Sequence, residues 1–212
     1  MAWGERTLKS KRRWLQERKR DPYFLLAKKE GYRSRASYKL KQILGEYRLI
    51  RKGDFVLDIG CAPGGWLQVA SEAVGETGLV IGVDIKRVEN LGLENIKTIL
   101  LDVFDEGFVE RVLKESKNKF DVILSDLSPN MSGIYELDHA RQIEMVERVI
   151  QLSRELLKVG GSMVVKVFEG EGSDRIYRNV SKLFRFVKRF KPKASRRGSS
   201  EFYLVAKFFK GF

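Results

Sequence analysis

With 212 residues, 43% of them hydrophobic, the chain reads as one domain with a sizeable buried core. Forty-one Lys and Arg against 28 Asp and Glu give a net charge of +13, which calls for an anionic partner, nucleic acid before a membrane surface. A single cysteine, Cys61, and a single histidine, His139, exclude an intrachain disulfide, a cysteine metal cluster and a multi-histidine zinc site. No metal is expected. No apolar run has transmembrane length and none reads as a signal peptide, so a cytoplasmic protein is expected.

Residues 1–30 read as a basic N-terminal arm, with Arg6, Lys9, Lys11, Arg12, Arg13, Arg18, Lys19 and Arg20 around Trp3 and Trp14, suited to phosphates. Asp21-Pro22 is a break. Residues 31–212 read as a single domain. Leu40, Ile43 and Leu44 have helical spacing, with Ser37 at the first turn. Lys39, taken alone, is a surface residue of that helix. Lys52-Gly53-Asp54 turns the chain into the apolar run Phe55 to Ile59. A loop with Gly60, Gly64 and Gly65 follows, and an amphipathic segment leaves it through Trp66, Leu67, Val69 and Ala70. Strand, tight turn and helix start place a cofactor at the C-terminal end of this strand.

Leu79 to Asp84 is a second buried strand that ends in an acid. In doubly wound folds an acid roughly 20 residues beyond the glycine loop accepts hydrogen bonds from a ribose. The glycine spacing departs from G-x-G-x-x-G, so a ligand without a pyrophosphate is expected. S-adenosyl-L-methionine, an adenosine with an amino-acid tail, fits.

Further strands are expected at Thr98 to Leu101, Phe120 to Asp126, Ser162 to Phe168, Phe186 to Phe190 and Phe202 to Phe209. Helices are expected from Gly107 to Ser116, along Ile143, Val146, Val149, Ile150, Leu156 and Leu157 up to Gly160-Gly161, and from Asp174 to Phe184. His139, in the polar lead-in to the long helix, is expected at the solvated surface. The alternation implies an α/β fold with a mostly parallel doubly wound sheet, closed by an antiparallel edge hairpin.

Lys166 interrupts the apolar run Met163 to Phe168, where a lysine is costly unless paired or functional. Asp126 ends a strand at the edge where ligands bind in such sheets. Glu201 opens the last strand and reads, alone, as a solvated strand end.

Taken together, several motifs resemble the FtsJ/RrmJ family. They are Ser34-Arg35-Ala36-Ser37-Tyr38-Lys39-Leu40, Asp58-Ile59-Gly60-Cys61-Ala62-Pro63-Gly64-Gly65-Trp66, Asp126-Leu127-Ser128-Pro129-Asn130-Met131-Ser132-Gly133, Lys166, Lys191-Pro192-Lys193-Ala194-Ser195-Arg196-Arg197 and Ser200-Glu201-Phe202-Tyr203. The resemblance runs from about Tyr32 to the end, and an archaeal member is expected. It implies a Rossmann-like class I fold with a seven-stranded sheet, S-adenosyl-L-methionine as cofactor and ribose 2′-O-methylation of RNA. The family's Lys-Asp-Lys-Glu tetrad falls on Lys39, Asp126, Lys166 and Glu201. Its cofactor contacts fall on Gly64, Trp66, Asp84, Asp102 and Asp126. The expected substrate is a uridine of large-subunit (23S) rRNA in the 50S ribosomal subunit, met by a monomer. A tRNA anticodon-loop methyltransferase and a non-catalytic RNA-binding assembly factor are the rival readings.

Methyl transfer to a ribose hydroxyl is an in-line displacement that needs alignment and removal of a proton. Lys166 is the expected base. Burial and a second nearby lysine favour a neutral amine, and nearby carboxylates oppose it.

Overall fold

The computed structural model describes residues 20–196 and 198–211. The expected phosphate-binding residues Arg6 to Lys19, and Arg197 of the Lys191 to Arg197 motif, lie outside the described residues. Seven strands form one sheet. β1 (Phe55–Ile59), β2 (Leu79–Asp84), β3 (Ile96–Leu100), β4 (Phe120–Ser125) and β5 (Leu157–Phe168) pair in parallel, in the order β3-β2-β1-β4-β5. The sheet continues with β7 (Glu201–Phe209) and ends with β6 (Phe184–Phe190). The expected hairpin is there, since β6 and β7 pair antiparallel. Its later strand, however, is inserted between β5 and β6 and runs against both.

Alternating side chains give the sheet two buried faces. On one face Leu57, Ile81, Ile123 and Val165 pack under α4 (Phe108–Ser116), α5 (Tyr135–Leu156) and α6 (Ser173–Leu183). On the other, Val56, Val80, Leu124, Val164 and Tyr203 meet Leu40 and Ile43 of α2 (Ser37–Tyr47) and Trp66, Leu67 and Ala70 of α3 (Gly65–Val74). Each fully buried leucine or isoleucine contributes about 1.5–3 kcal/mol. The parity that points Val164 toward α2 and α3 points Lys166 the same way, at the end of the strand.

α1 (Pro22–Lys29) lies within the stretch assigned to the basic arm. Asp21 caps it by accepting from the Tyr23 and Phe24 N–H groups, and Ala27 is buried with Tyr38 and Ala194. Residues 22–29 therefore pack on the domain.

The long helix ends at Leu156 rather than at the glycine pair. β5 begins at once and carries Gly160-Gly161 in an irregularity opposite Asp121, with register shifting from Phe120↔Leu157 to Val122↔Ser162. Gly160 takes φ of +83°, which only glycine adopts readily, and this lets the bulge form.

Candidate active site

The glycine loop after β1 opens into a cleft of about 340 Å³ at the C-terminal edge of the sheet. Asp84, Asp102 and Asp126 line it, with Gly60, Ala62, Leu101, Phe104 and Asn130. Asp84 ends β2 and accepts from the Ala62 N–H at 2.9 Å and the Lys86 N–H at 2.8 Å, which locks the glycine loop to the strand end. Asp102 is exposed and accepts from the Phe104 N–H at 3.0 Å. A side chain at Gly60 would strike Leu127 at 2.7 Å, so glycine is required where the two loops meet.

Gly64 and Trp66 do not line this cleft. A Cβ on Gly64 would meet Arg33, Leu91 and Val88. The Trp66 indole is buried, packs 5.7 Å from the Tyr203 ring and donates its N–H to the Ala36 carbonyl at 2.8 Å. What these two residues present to the loop is the backbone of the first turn of α3, whose N–H groups have no intrahelical acceptor.

Asp58, on β1 beneath the loop, was not singled out from the sequence as a site residue. It is 1% exposed and neither carboxylate oxygen has a hydrogen-bond partner. Burial, and then the charges of Asp126 and Asp84, push its carboxyl well above the usual range. Asp58 does not itself line the cleft, but a buried, unpartnered carboxyl beneath a cleft edged by three more acids suits a cationic ligand with hydroxyl groups and disfavours a pyrophosphate. S-adenosyl-L-methionine, with its ammonium, sulfonium and ribose, fits these residues.

Next to the cleft the four tetrad positions converge. Lys166, 6% exposed, places Nζ 3.1 Å from Asp126 Oδ1 and donates to the Asp126 carbonyl at 2.8 Å. Lys39 pairs with Glu201 at 2.5 Å, both side chains being largely buried. Lys39 is therefore no surface residue, and Glu201 no solvated strand end. Tyr203 links the pairs: its hydroxyl donates to Asp126 Oδ1 at 2.7 Å, and Lys39 Nζ stands 5.7 Å from its ring centroid. Desolvation alone would raise the Asp126 carboxyl. Lys166, Lys39 and the Tyr203 hydroxyl outweigh it, and the group sits below the ordinary range. The direction of β7 brings Glu201 here. Because β7 is antiparallel to β5, its first residue stands opposite Phe168 at the C-terminal edge.

Two further polar residues near the start of α5 hold neighbouring loops, Asp138 the loop after β4 and His139 the loop after β5. Asp138 is buried and accepts from the Ser132 N–H and hydroxyl and the Gly133 N–H, bonds that keep its carboxyl low. His139 is not at the surface. It is 6% exposed, stacks on Tyr135, and has Nε2 2.6 Å from the Glu171 carbonyl. The helix starts earlier than expected, so His139 lies within α5 and not ahead of it, on a face that turns inward. Among the described residues no group of His, Cys, Asp or Glu could hold a metal ion, and no helix is long and apolar enough to cross a membrane.

Strand order and the cleft at the C-terminal edge of the sheet are those of the Rossmann-like class I methyltransferase fold. The chain belongs to the FtsJ-like methyltransferase family, whose family model matches residues 32–209. It is 45% identical over 200 residues to ribosomal RNA large subunit methyltransferase E of Methanothermobacter thermautotrophicus, covering 94% of this chain and 95% of the relative. The protein of the same name in Methanocaldococcus jannaschii is 44% identical over 203 residues, covering 94% and 83%. Among solved structures, a ribosomal RNA methyltransferase from Plasmodium falciparum superposes with a TM-score of 0.75 at 30% identity, covering 85% of this chain and all of the other. Aeropyrum pernix fibrillarin, solved with natively bound S-adenosyl-L-methionine, shares the fold at a TM-score of 0.56 and 18% identity, covering 82% and 75%.

Proposed function

We propose that this chain is a cytoplasmic, monomeric S-adenosyl-L-methionine-dependent methyltransferase that modifies the ribose 2′-hydroxyl of a uridine in large-subunit rRNA, in the assembled 50S subunit. The observation that carries the proposal is the buried Lys166, paired with Asp126 beside a second buried pair, Lys39–Glu201, at the mouth of the cleft. The substrate class follows the names of the relatives, and the uridine follows the family resemblance.

When bound, the cofactor supplies an electrophilic methyl group on a sulfonium. Asp84 and Asp102 would accept hydrogen bonds from its adenosine end, Asp58 and Asp126 would offset its cationic end, and Gly64 and Trp66 would act through the backbone of the helix start. The neutral amine of Lys166, its own proton having first left to solvent, takes the proton of the 2′-hydroxyl, and Asp126 stabilises the ammonium that results. Glu201 orients Lys39, and Lys39 holds the acceptor ribose in line. Pre-alignment of donor and acceptor lowers the barrier by removing orientational entropy, and the base adds about 10²–10⁴-fold.

The test is transfer of a labelled methyl group to whole large subunits, free large-subunit rRNA and tRNA, with mapping of the modified ribose. Label on a uridine 2′-oxygen of the large-subunit RNA is expected. Label on tRNA alone would replace the substrate with an anticodon-loop ribose. RNA binding without transfer would leave an assembly factor.

A further inference from the structure

The loop from Lys191 to Arg196 carries three cations and no acid, yet it is held down by groups outside itself. Buried and exposed residues alternate along it: Pro192 and Ala194 are buried, and Lys191, Lys193 and Arg196 are exposed. Ala194 is fully buried in a small apolar cluster with Ala27 of α1 and Tyr38 of α2. Both of its backbone groups are captured. Its carbonyl accepts from Arg35 Nη2 at 2.5 Å, and its N–H donates to Gln42 Oε1 at 3.1 Å. Arg35 also pairs with Asp21, the cap of α1, at 2.7 Å, and Gln42 also donates to the Tyr23 hydroxyl at 3.1 Å. The two tethers flank Lys39, one before it on the lead-in to α2 and one after it on the helix.

The side chains of Lys193 and Arg196 have no hydrogen-bond or ion-pair partner among the described residues. A run of like charges repels itself and resists a fixed shape. Here a turn from the Ser195 N–H to the Pro192 carbonyl at 2.9 Å and a bond from Lys191 Nζ to the Ser199 carbonyl at 2.7 Å shape the loop, and one guanidinium and one amide fasten its backbone to the domain with Lys193 and Arg196 outward. From Arg196 the chain leads directly to Glu201, the partner of Lys39.

We infer that Arg35 and Gln42 are positioning residues that preform the Lys191–Arg196 loop as a rail for the phosphates of the RNA next to the target ribose. The inference rests on the reading of this chain as an RNA methyltransferase. Preforming the rail removes most of the ordering cost that a mobile basic loop would incur on binding. It also ties the phosphate register to Lys39, because α2 and its lead-in carry both the tethers and the lysine. Arg35 suits the task because its planar fork reaches Asp21 and the Ala194 carbonyl together, which a lysine cannot do.

The test is steady-state methylation of large-subunit rRNA by the full chain and by Arg35→Lys, Gln42→Ala and the double variant Lys193→Ala/Arg196→Ala. Arg35→Lys keeps the charge. It is expected to raise KM for RNA about tenfold, with KM for the cofactor within about twofold and turnover at saturating RNA within about threefold. Gln42→Ala, which also leaves every cation in place, should shift KM for RNA in the same direction and serves if Arg35→Lys unfolds. Removing Lys193 and Arg196 should raise KM for RNA and flatten its dependence on log salt by about two units, one per phosphate contact. The deciding measurement is the combination. On the Arg35→Lys background, loss of the two cations should add less than about twofold, because the rail is already displaced. Multiplicative effects would overturn the inference, as would an unchanged KM for RNA or a parallel loss of cofactor affinity. An unmodified chain that methylates no RNA would instead break the parent reading.

Discussion

The cofactor side of the cleft and the tetrad side are assembled in different ways. On the cofactor side, β1, β2 and β3 are parallel neighbours, and each functional residue lies at or near the C-terminal end of its own strand. Asp84 and the glycine loop are joined by short-range bonds such as Asp84 to the Ala62 N–H. The other side draws Lys39 from a helix, Asp126 and Lys166 from neighbouring parallel strands, and Glu201 from a strand that runs the opposite way. Its charges are already paired, Lys39 with Glu201 and Lys166 with Asp126, whereas the cofactor side leaves Asp58 without a partner. The unsatisfied charge stands where a cationic ligand is proposed to bind. The compensated charges stand where a geometry has to be held ready.

The sharpest way to break this contrast is at Lys166. Lys166→Ala should lower turnover about 10²–10⁴-fold while the affinity for S-adenosyl-L-methionine, measured by calorimetry, stays nearly unchanged. Lys166→Arg should fail equally, because a guanidinium does not release its proton at working pH. Near-normal turnover of the arginine variant would remove Lys166 as base and leave the rate to alignment.

A change on the cofactor side should do the reverse. Asp84→Ala is expected to weaken cofactor binding by about 1.5–3 kcal/mol, the worth of hydrogen bonds to a charged group. Turnover at saturating cofactor should fall much less. Unchanged affinity in the calorimeter would show that the ribose is held elsewhere.

Asp58→Asn separates stability from binding. A carboxyl whose folded pKa lies above its unfolded value holds more protons in the folded state, so it costs stability as pH rises from the unfolded value toward the raised one. The asparagine variant should therefore melt higher than the parent near neutral pH in the absence of ligand, by about 2–4 °C per kcal/mol, and the gap should close below about pH 4. In the parent, cofactor affinity should rise with pH as Asp58 ionises. The variant should bind more weakly and show a flatter pH profile. An unaltered profile would disconnect Asp58 from the cofactor.

The smallest effect belongs to the link between the two lysine pairs. Tyr203→Phe removes one of several interactions that hold the Asp126 carboxylate, while the ring stays against Trp66. Turnover should drop a few-fold with cofactor affinity intact. A loss as large as that of Lys166→Ala would mean that the hydroxyl itself acts on the substrate.

Much of this was written locally in the chain. Parallel strands buried on both faces show as apolar runs, so β1, β2, β4 and most of β5 could be read directly, and an acid or a lysine in such a run stands out against its neighbours. Asp84, Asp126 and Lys166 were legible for that reason. Lys39 and Glu201 were not legible from composition or period, because a lysine on an amphipathic helix and a glutamate at a strand start have ordinary surface readings. Only their place in motifs of the FtsJ/RrmJ family marked them.

What the tertiary structure alone decided is which distant groups meet. The insertion of β7 between β5 and β6 reverses its direction at the active edge, and that reversal turns a strand's first residue, Glu201, into the partner of Lys39. The same packing buries Trp66 under Tyr203, turns His139 inward and leaves Asp58 unsatisfied. Pairings across the fold depend on strand order and on which helix covers which face, and neither is encoded in the spacing of residues along a single strand or helix.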